Sequence, residues 1–240
     1  MRIAVLAAGL STWAVCCVAG RDDLRVIVQE QCLPHWQTAR DPSPCESLGG
    51  EQGSEPAYAL LHDRKGGAHF LLIPTRAVRG IDEQVLAAGA PNYFAAAWRS
   101  REALATASGR SIPRTAVGMG INPRRARSQD QLHIHIECLG LSVYRGVRRA
   151  ADTLKDTWSP VRIDGADYLA LRLKGEDLGE ANPFALVTQG IPGEINDYTL
   201  LVVGVQFRDG PGFAVLVQTD GVPATELLLD SSCAVTQPGS

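Results

Sequence analysis

From Gln131 to Cys138 the chain alternates strictly between polar and apolar residues. A period of two is the signature of a β-strand with one face buried. Leu132, Ile134, Ile136 and Cys138 fall on one face, and Gln131, His133, His135 and Glu137 on the other. The apolar face demands a core behind it. The polar face sets two imidazoles side by side, and these are two of only five histidines in the chain. Any fold for this chain must therefore supply a sheet covered on the side of Ile134 and must find a use for the side of His133.

The surrounding pattern gives the fold class. Tyr58–Leu61 and His69–Ile73 read as strands around a turn at Arg64–Gly67. Asn92 is a good N-cap for a helix running through Phe94, Trp98 and Leu104 to a stop at Gly109. Thr115–Ile121 reads as a strand, Asn122–Asp130 as an arginine-bearing loop, and Ser142–Leu154 as a helix. Strand-like runs follow near Tyr168–Leu173, Leu200–Phe207 and Phe213–Gln218, with a short helix near Pro183–Gln189 capped by Asn182. Helices and strands do not alternate regularly, so the expectation is α+β with an antiparallel sheet and flanking helices. Hydrophobic residues make up 45% of 240, enough for one good core, and no self-similar period or long linker divides the chain.

The N-terminus differs from the rest. Ile3 to Val18 is an apolar run behind Arg2, closed by Arg21, Asp22 and Asp23. It reads as a secretory signal or a membrane anchor occupying residues 1–20, with one domain over 21–240. Its length is at the lower edge of a spanning helix, so cleaved signal and retained anchor both stay open. Either delivers the domain out of the cytoplasm, where disulfides form. Cys32, Cys45, Cys138 and Cys233 lie beyond the run. Of the three pairings they allow, we expect Cys32–Cys45 across a short proline-bearing loop and Cys138–Cys233 tying the middle to the C-terminus. The competing reading is four reduced cysteines.

Three chemistries compete for the polar face of the His133 strand. It is a solvated face, or a metal site completed by Glu137, His62 or His69, or the seat of a nucleophilic histidine with polar helpers. Local charge favours the last. From Arg99 to Arg149 there are ten arginines against three acids in a chain of net charge -3. Such a basic stretch suits an anionic ligand such as a phosphate ester or diphosphate. Arginines outnumber lysines along the whole chain, which weakens the point. A short loop and 6% aromatic residues argue against nucleic acid.

The run Ser128–His135 behind Asn122 resembles the histidine-triad superfamily, in which histidines alternate with apolar residues on a strand. Separated motifs add a closer resemblance, to the bacterial CDP-diacylglycerol pyrophosphatase family. They are Gln29–Pro34, Pro42–Cys45, Leu72–Thr75, Pro91–Phe94 with Ala97-Trp98, and Gly120–Asn122. The resemblance implies a histidine-triad-like sheet and hydrolysis of CDP-diacylglycerol to CMP and phosphatidate through a cytidylyl-histidine, at the periplasmic side of the inner membrane. It puts the nucleophile at His133 and the third triad position at His135. Gln131 stands where the superfamily usually has its first histidine. Ser128 and Asn122 fall on the phosphate-contacting positions, with Arg127, Gln129 and Gln131 as further candidate substrate contacts. The expectation includes no cofactor, no metal and a membrane lipid surface as partner. The alternatives are the same mechanism on a soluble nucleotide diphosphate, or a metal- or ligand-binding periplasmic module without turnover.

Overall fold

Among the described residues the apolar runs become a ten-stranded sheet, because each strand finds an antiparallel neighbour for its backbone and a covered face for its side chains. The computed structural model describes residues 20–50, 57–81, 90–219 and 224–237. Its strands are β1 (Ser47–Gly49), β2 (Tyr58–His62), β3 (Phe70–Pro74), β4 (Val117–Ile121), β5 (Ile134–Leu139), β6 (Ser159–Ile163), β7 (Ala166–Lys174), β8 (Thr199–Phe207), β9 (Gly210–Gln218) and β10 (Leu229–Asp230). They lie in the order β1-β2-β3-β5-β4-β8-β9-β7-β6, with β10 pairing β5 beside them. The helices are α1 (Asp23–Ile27), α2 (Leu33–Ala39), α3 (Tyr93–Ser100), α4 (Glu102–Ser108), α5 (Leu141–Ala150) and α6 (Pro183–Gly190), with a π-turn, Val28–Cys32, joining α1 to α2. The α+β expectation with an antiparallel sheet holds.

Strand order exposes a duplication. A hairpin (β2–β3), helices, then a hairpin (β4–β5) give the order β2-β3-β5-β4. A hairpin (β6–β7), a helix, then a hairpin (β8–β9) give β6-β7-β9-β8. The two units join through β4 and β8, antiparallel, with Met119 opposite Val202. This is the arrangement that two copies related by a two-fold axis would make. The sequence carries no matching repeat.

The sheet's two faces are covered differently. Ile134, Ile136, Met119, Val202 and Val215 pack against Phe94 and Trp98 of α3 and Phe184 of α6. Asn92 caps α3 by accepting from the Ala95 amide at 3.1 Å, and Asn182 caps α6 by accepting from the Phe184 amide at 3.1 Å. The expected single helix breaks at Arg101 into α3 and α4, and Gly109 ends it in the left-handed region. On the opposite face α1 and the π-turn cover Leu61, Leu71 and Ile73. There α5 covers Leu201, Val203, Ala214 and Leu216 through Val143 and Val147. The gap between these two covers lies over β5.

Both expected disulfides are present, Cys32–Cys45 and Cys138–Cys233. The first staples α1–α2 to the loop before β1. The second holds the C-terminal turns against β5. The apolar run Ile3–Val18 lies outside the described residues. Among the described residues no helix is long and apolar enough to cross a membrane.

Candidate active site

β5 presents its polar face into the gap, and the face is buried rather than solvated. His133 is 8% exposed, His135 4% and Glu137 4%. The bland reading of a solvated sheet face is thereby removed. Ser128, Gln129, His133 and His135 line a cleft of about 380 Å³, together with His69, Glu226 and the hairpin residues Arg64 and Lys65.

His133 Nδ1 lies 2.8 Å from the backbone carbonyl of Gln131. A carbonyl only accepts, so Nδ1 carries the proton and Nε2 keeps its lone pair. Burial lowers the pKa of His133 below the ordinary imidazole value, which holds the ring neutral at pH 7. The side chain of Gln131 is committed elsewhere. It donates to the carbonyls of Pro74 (2.9 Å) and Arg76 (2.8 Å) and accepts from the Val78 amide (3.1 Å). These bonds pin residue 131 to the end of β3 and so fix the carbonyl that aims His133. They also delay the strand, which starts at Ile134 rather than at Gln131.

Behind His133 lies a chain of buried groups. His69 Nε2 is 3.0 Å from His135 Nδ1 and 3.2 Å from Glu137 Oε1, although Glu137 Oε1 makes no hydrogen bond of normal geometry. Burial, with help from Glu226 and Asp63, pushes the Glu137 carboxyl up to about 8. Burial also lowers His69, and it lowers His135 well below 6.5 with added repulsion from His133 and His69. One donor atom from each of His69, His135 and Glu137 fits within 4.8 Å, close enough to share an ion. The hydrogen bond from His69 also makes that residue a support for His135.

The C-terminal turn closes the site. Asn122 accepts from the Thr225 amide (2.6 Å) and hydroxyl (2.9 Å) and donates to Glu226 Oε2 (2.9 Å), while its Nδ2 reaches His135 Nε2 at 3.4 Å. Asn122 is therefore buried under the turn, not free in the cleft. Gly120, opposite His135 in the register, makes the turn's approach possible: a Cβ there would come 2.7 Å from Thr225 Cγ2.

Ser128 and Gln129 line the cleft, but Arg127 does not. Its guanidinium turns towards Asn196 Oδ1 (3.4 Å) and packs against Gly80. None of the ten arginines between Arg99 and Arg149 lines the cleft; its cations are Arg64 and Lys65 of the β2–β3 turn. Sequence reasoning missed these two as site residues because turn chemistry explained them fully. It named His69 only as one of three candidate metal ligands, and it missed Glu226 altogether. Nothing short of the fold brings residue 226 to β5.

A family model described as CDP-diacylglycerol pyrophosphatase matches residues 19–237 of this chain. The chain belongs to that family. A relative from Yersinia pestis, named CDP-diacylglycerol pyrophosphatase, is 35% identical over 223 residues, covering 89% of this chain and 84% of the relative. The matched region of the family spans every cleft residue, from α1 to the turn at Glu226.

Proposed function

We propose that this protein hydrolyses CDP-diacylglycerol to CMP and phosphatidate, with His133 as the nucleophile in a histidine-triad-like site. The substrate follows from the family and from the name of the Yersinia relative. The observation that carries the mechanism is the bond from His133 Nδ1 to the Gln131 carbonyl, which leaves a neutral, aimed Nε2. A neutral imidazole attacks phosphorus well near pH 7.

In the first step Nε2 bonds to the phosphorus next to cytidine and the bond from that phosphorus to the bridging oxygen breaks. Phosphatidate leaves as an anion of low pKa, so little proton transfer is needed. In the second step a water oxygen attacks the same phosphorus and releases a proton to solvent, the N–P bond breaks, and CMP departs as His133 recovers its lone pair. His135 and Ser128 face the cleft as candidate stabilisers of the phosphoryl oxygens. Gln129 lines the same wall, and Gln131 acts through its carbonyl. Asn122 acts through Glu226 and His135 rather than by touching substrate, and Arg127 supports the loop from behind.

The domain, residues 21–240, would act at the periplasmic face of the inner membrane behind the Ile3–Val18 run. Two disulfides support an oxidising compartment. The test is a product assay on detergent-dispersed CDP-diacylglycerol with the wild type and His133→Ala, with and without chelator. Turnover by the wild type in chelator and none by the variant is the expected result. Loss in chelator, restored by one specific metal, would favour the metal reading that the His69–His135–Glu137 trio also admits.

A further inference from the structure

The cleft has a polar and an apolar lining. His133, His135 and Ser128 line it, and so do Leu24, Ile27, Leu61 and Leu71. The two linings adjoin on one sheet face, since Leu71 of β3 lies directly opposite His135 of β5. Leu24, Leu61 and Leu71 belong to the small core under α1, but Ile27 is only half buried and faces the cleft.

α1 is fastened to the loop that precedes the histidines. Gln129 accepts from the Leu24 amide at 3.1 Å and donates to the Gly20 carbonyl at 2.7 Å. Arg21 pairs with Asp130 (Nε–Oδ1, 3.0 Å), and the Asp130 amide donates to the Arg21 carbonyl at 2.7 Å. An apolar wall is thus held in fixed register with the reacting groups of the site. In sequence, two of its residues, Leu24 and Ile27, follow closely on the Ile3–Val18 run.

We propose that the wall of Leu24, Ile27, Leu61 and Leu71 is the seat for the glycerol end of a diacylglycerol substrate. The first carbons of the acyl chains lie on Ile27, and the remainder of the chains stays in the bilayer. This rests on the hydrolase reading above and adds where the lipid half sits. The volume supports the division. A cleft of about 380 Å³ is near the small end of ligand sites, about 300–1,000 Å³. It has room for the diphosphate and the neighbouring glycerol, but not for two long chains as well. Arg64 and Lys65 stand exposed on the same rim, where the diphosphate or an anionic lipid surface would meet them.

The test compares CDP-glycerol with monomeric CDP-diacylglycerols whose acyl chains run from two to six carbons, using full-length wild type, Ile27→Ser and Ile27→Glu. Wild-type kcat/KM should rise with the first carbons and then level off. The ratio of kcat/KM for the six-carbon lipid to that for CDP-glycerol should fall about ten-fold in Ile27→Ser and further in Ile27→Glu. Thermal melts identify folded variants, and Ile27→Ser carries the test if Ile27→Glu does not fold. A wild type indifferent to chain length, or a folded variant with an unchanged ratio, would overturn the lipid seat while leaving the hydrolase reading intact. Failure of the wild type to cleave any of these diphosphates would instead overturn the hydrolase reading itself.

Discussion

His69 Nε2 lies 3.0 Å from His135 Nδ1, although the residues are 66 positions apart. β3 and β5 bring them together, and His69 occupies the position just before β3 begins. His69 thereby fixes the orientation of His135, whose other nitrogen faces Asn122 and Glu226. Replacing His69 by alanine should lower kcat by about 100-fold through misplacement of His135, with KM changed little. Steady-state kinetics on CDP-diacylglycerol checks this, and a near-normal kcat would deny His69 its positioning role.

Glu137 makes a prediction about stability and pH. Its folded pKa, about 8, lies above the 4.5 of a free glutamate. The fold therefore favours the protonated form. The contribution is full below pH about 4.5 and is lost as pH rises through about 8. The lowered pKa values of His69, His133 and His135 act in the opposite sense, costing stability as pH falls below 6.5. Thermal melts of Glu137→Gln should gain on the wild type steadily between pH 5 and 8. A constant difference across that range would contradict a protonated Glu137.

Much of the fold was legible because its strands and helices advertise themselves locally. The β2–β3 hairpin, the caps at Asn92 and Asn182 and the alternation through β5 each rest on neighbours within a few residues. His133, the proposed nucleophile, stands out in the sequence for the same reason. α1 and α2 were not, since their apolar residues follow a longer apolar run and their spacing is broken by the π-turn. The duplication was also hidden. In the second unit β9 carries Ala214 and Leu216 where β5 carries its polar groups, and α5 buries them. One unit has a cleft over this face, and in the other α5 covers it. Glu226 and the support role of Asn122 depend on a contact across 103 positions or more, which no local pattern signals.

The cations of the cleft sit on the β2–β3 turn. Reversing both charges, Arg64→Glu with Lys65→Glu, should raise KM for CDP-diacylglycerol about ten-fold at low salt. The defect should shrink at high ionic strength, because both side chains are exposed and screened. An equal double reversal at Arg148 and Arg149, which lie away from the cleft, should leave KM within two-fold, roughly. Equal effects from the two double variants would return the credit to the general basic stretch.

Cys138–Cys233 closes a separation of 95 residues and anchors the turn that carries Glu226. Cys138→Ser with Cys233→Ser should lose about 2–5 kcal/mol in denaturant unfolding. The same variant should lose activity at temperatures where it is still folded, as the turn leaves Asn122. Full activity in the folded variant would show that the turn holds without its staple.

The central claim is that His133 attacks the phosphorus next to cytidine. Hydrolysis of CDP-diacylglycerol in heavy-oxygen water, with mass analysis of both products, tests it most directly. The account predicts that the label enters CMP and is absent from phosphatidate, and that rapid quenching traps a cytidylyl group on the wild type but not on His133→Ala. Label in phosphatidate would mean that water reaches the lipid-side phosphorus, and it would contradict the assignment of His133.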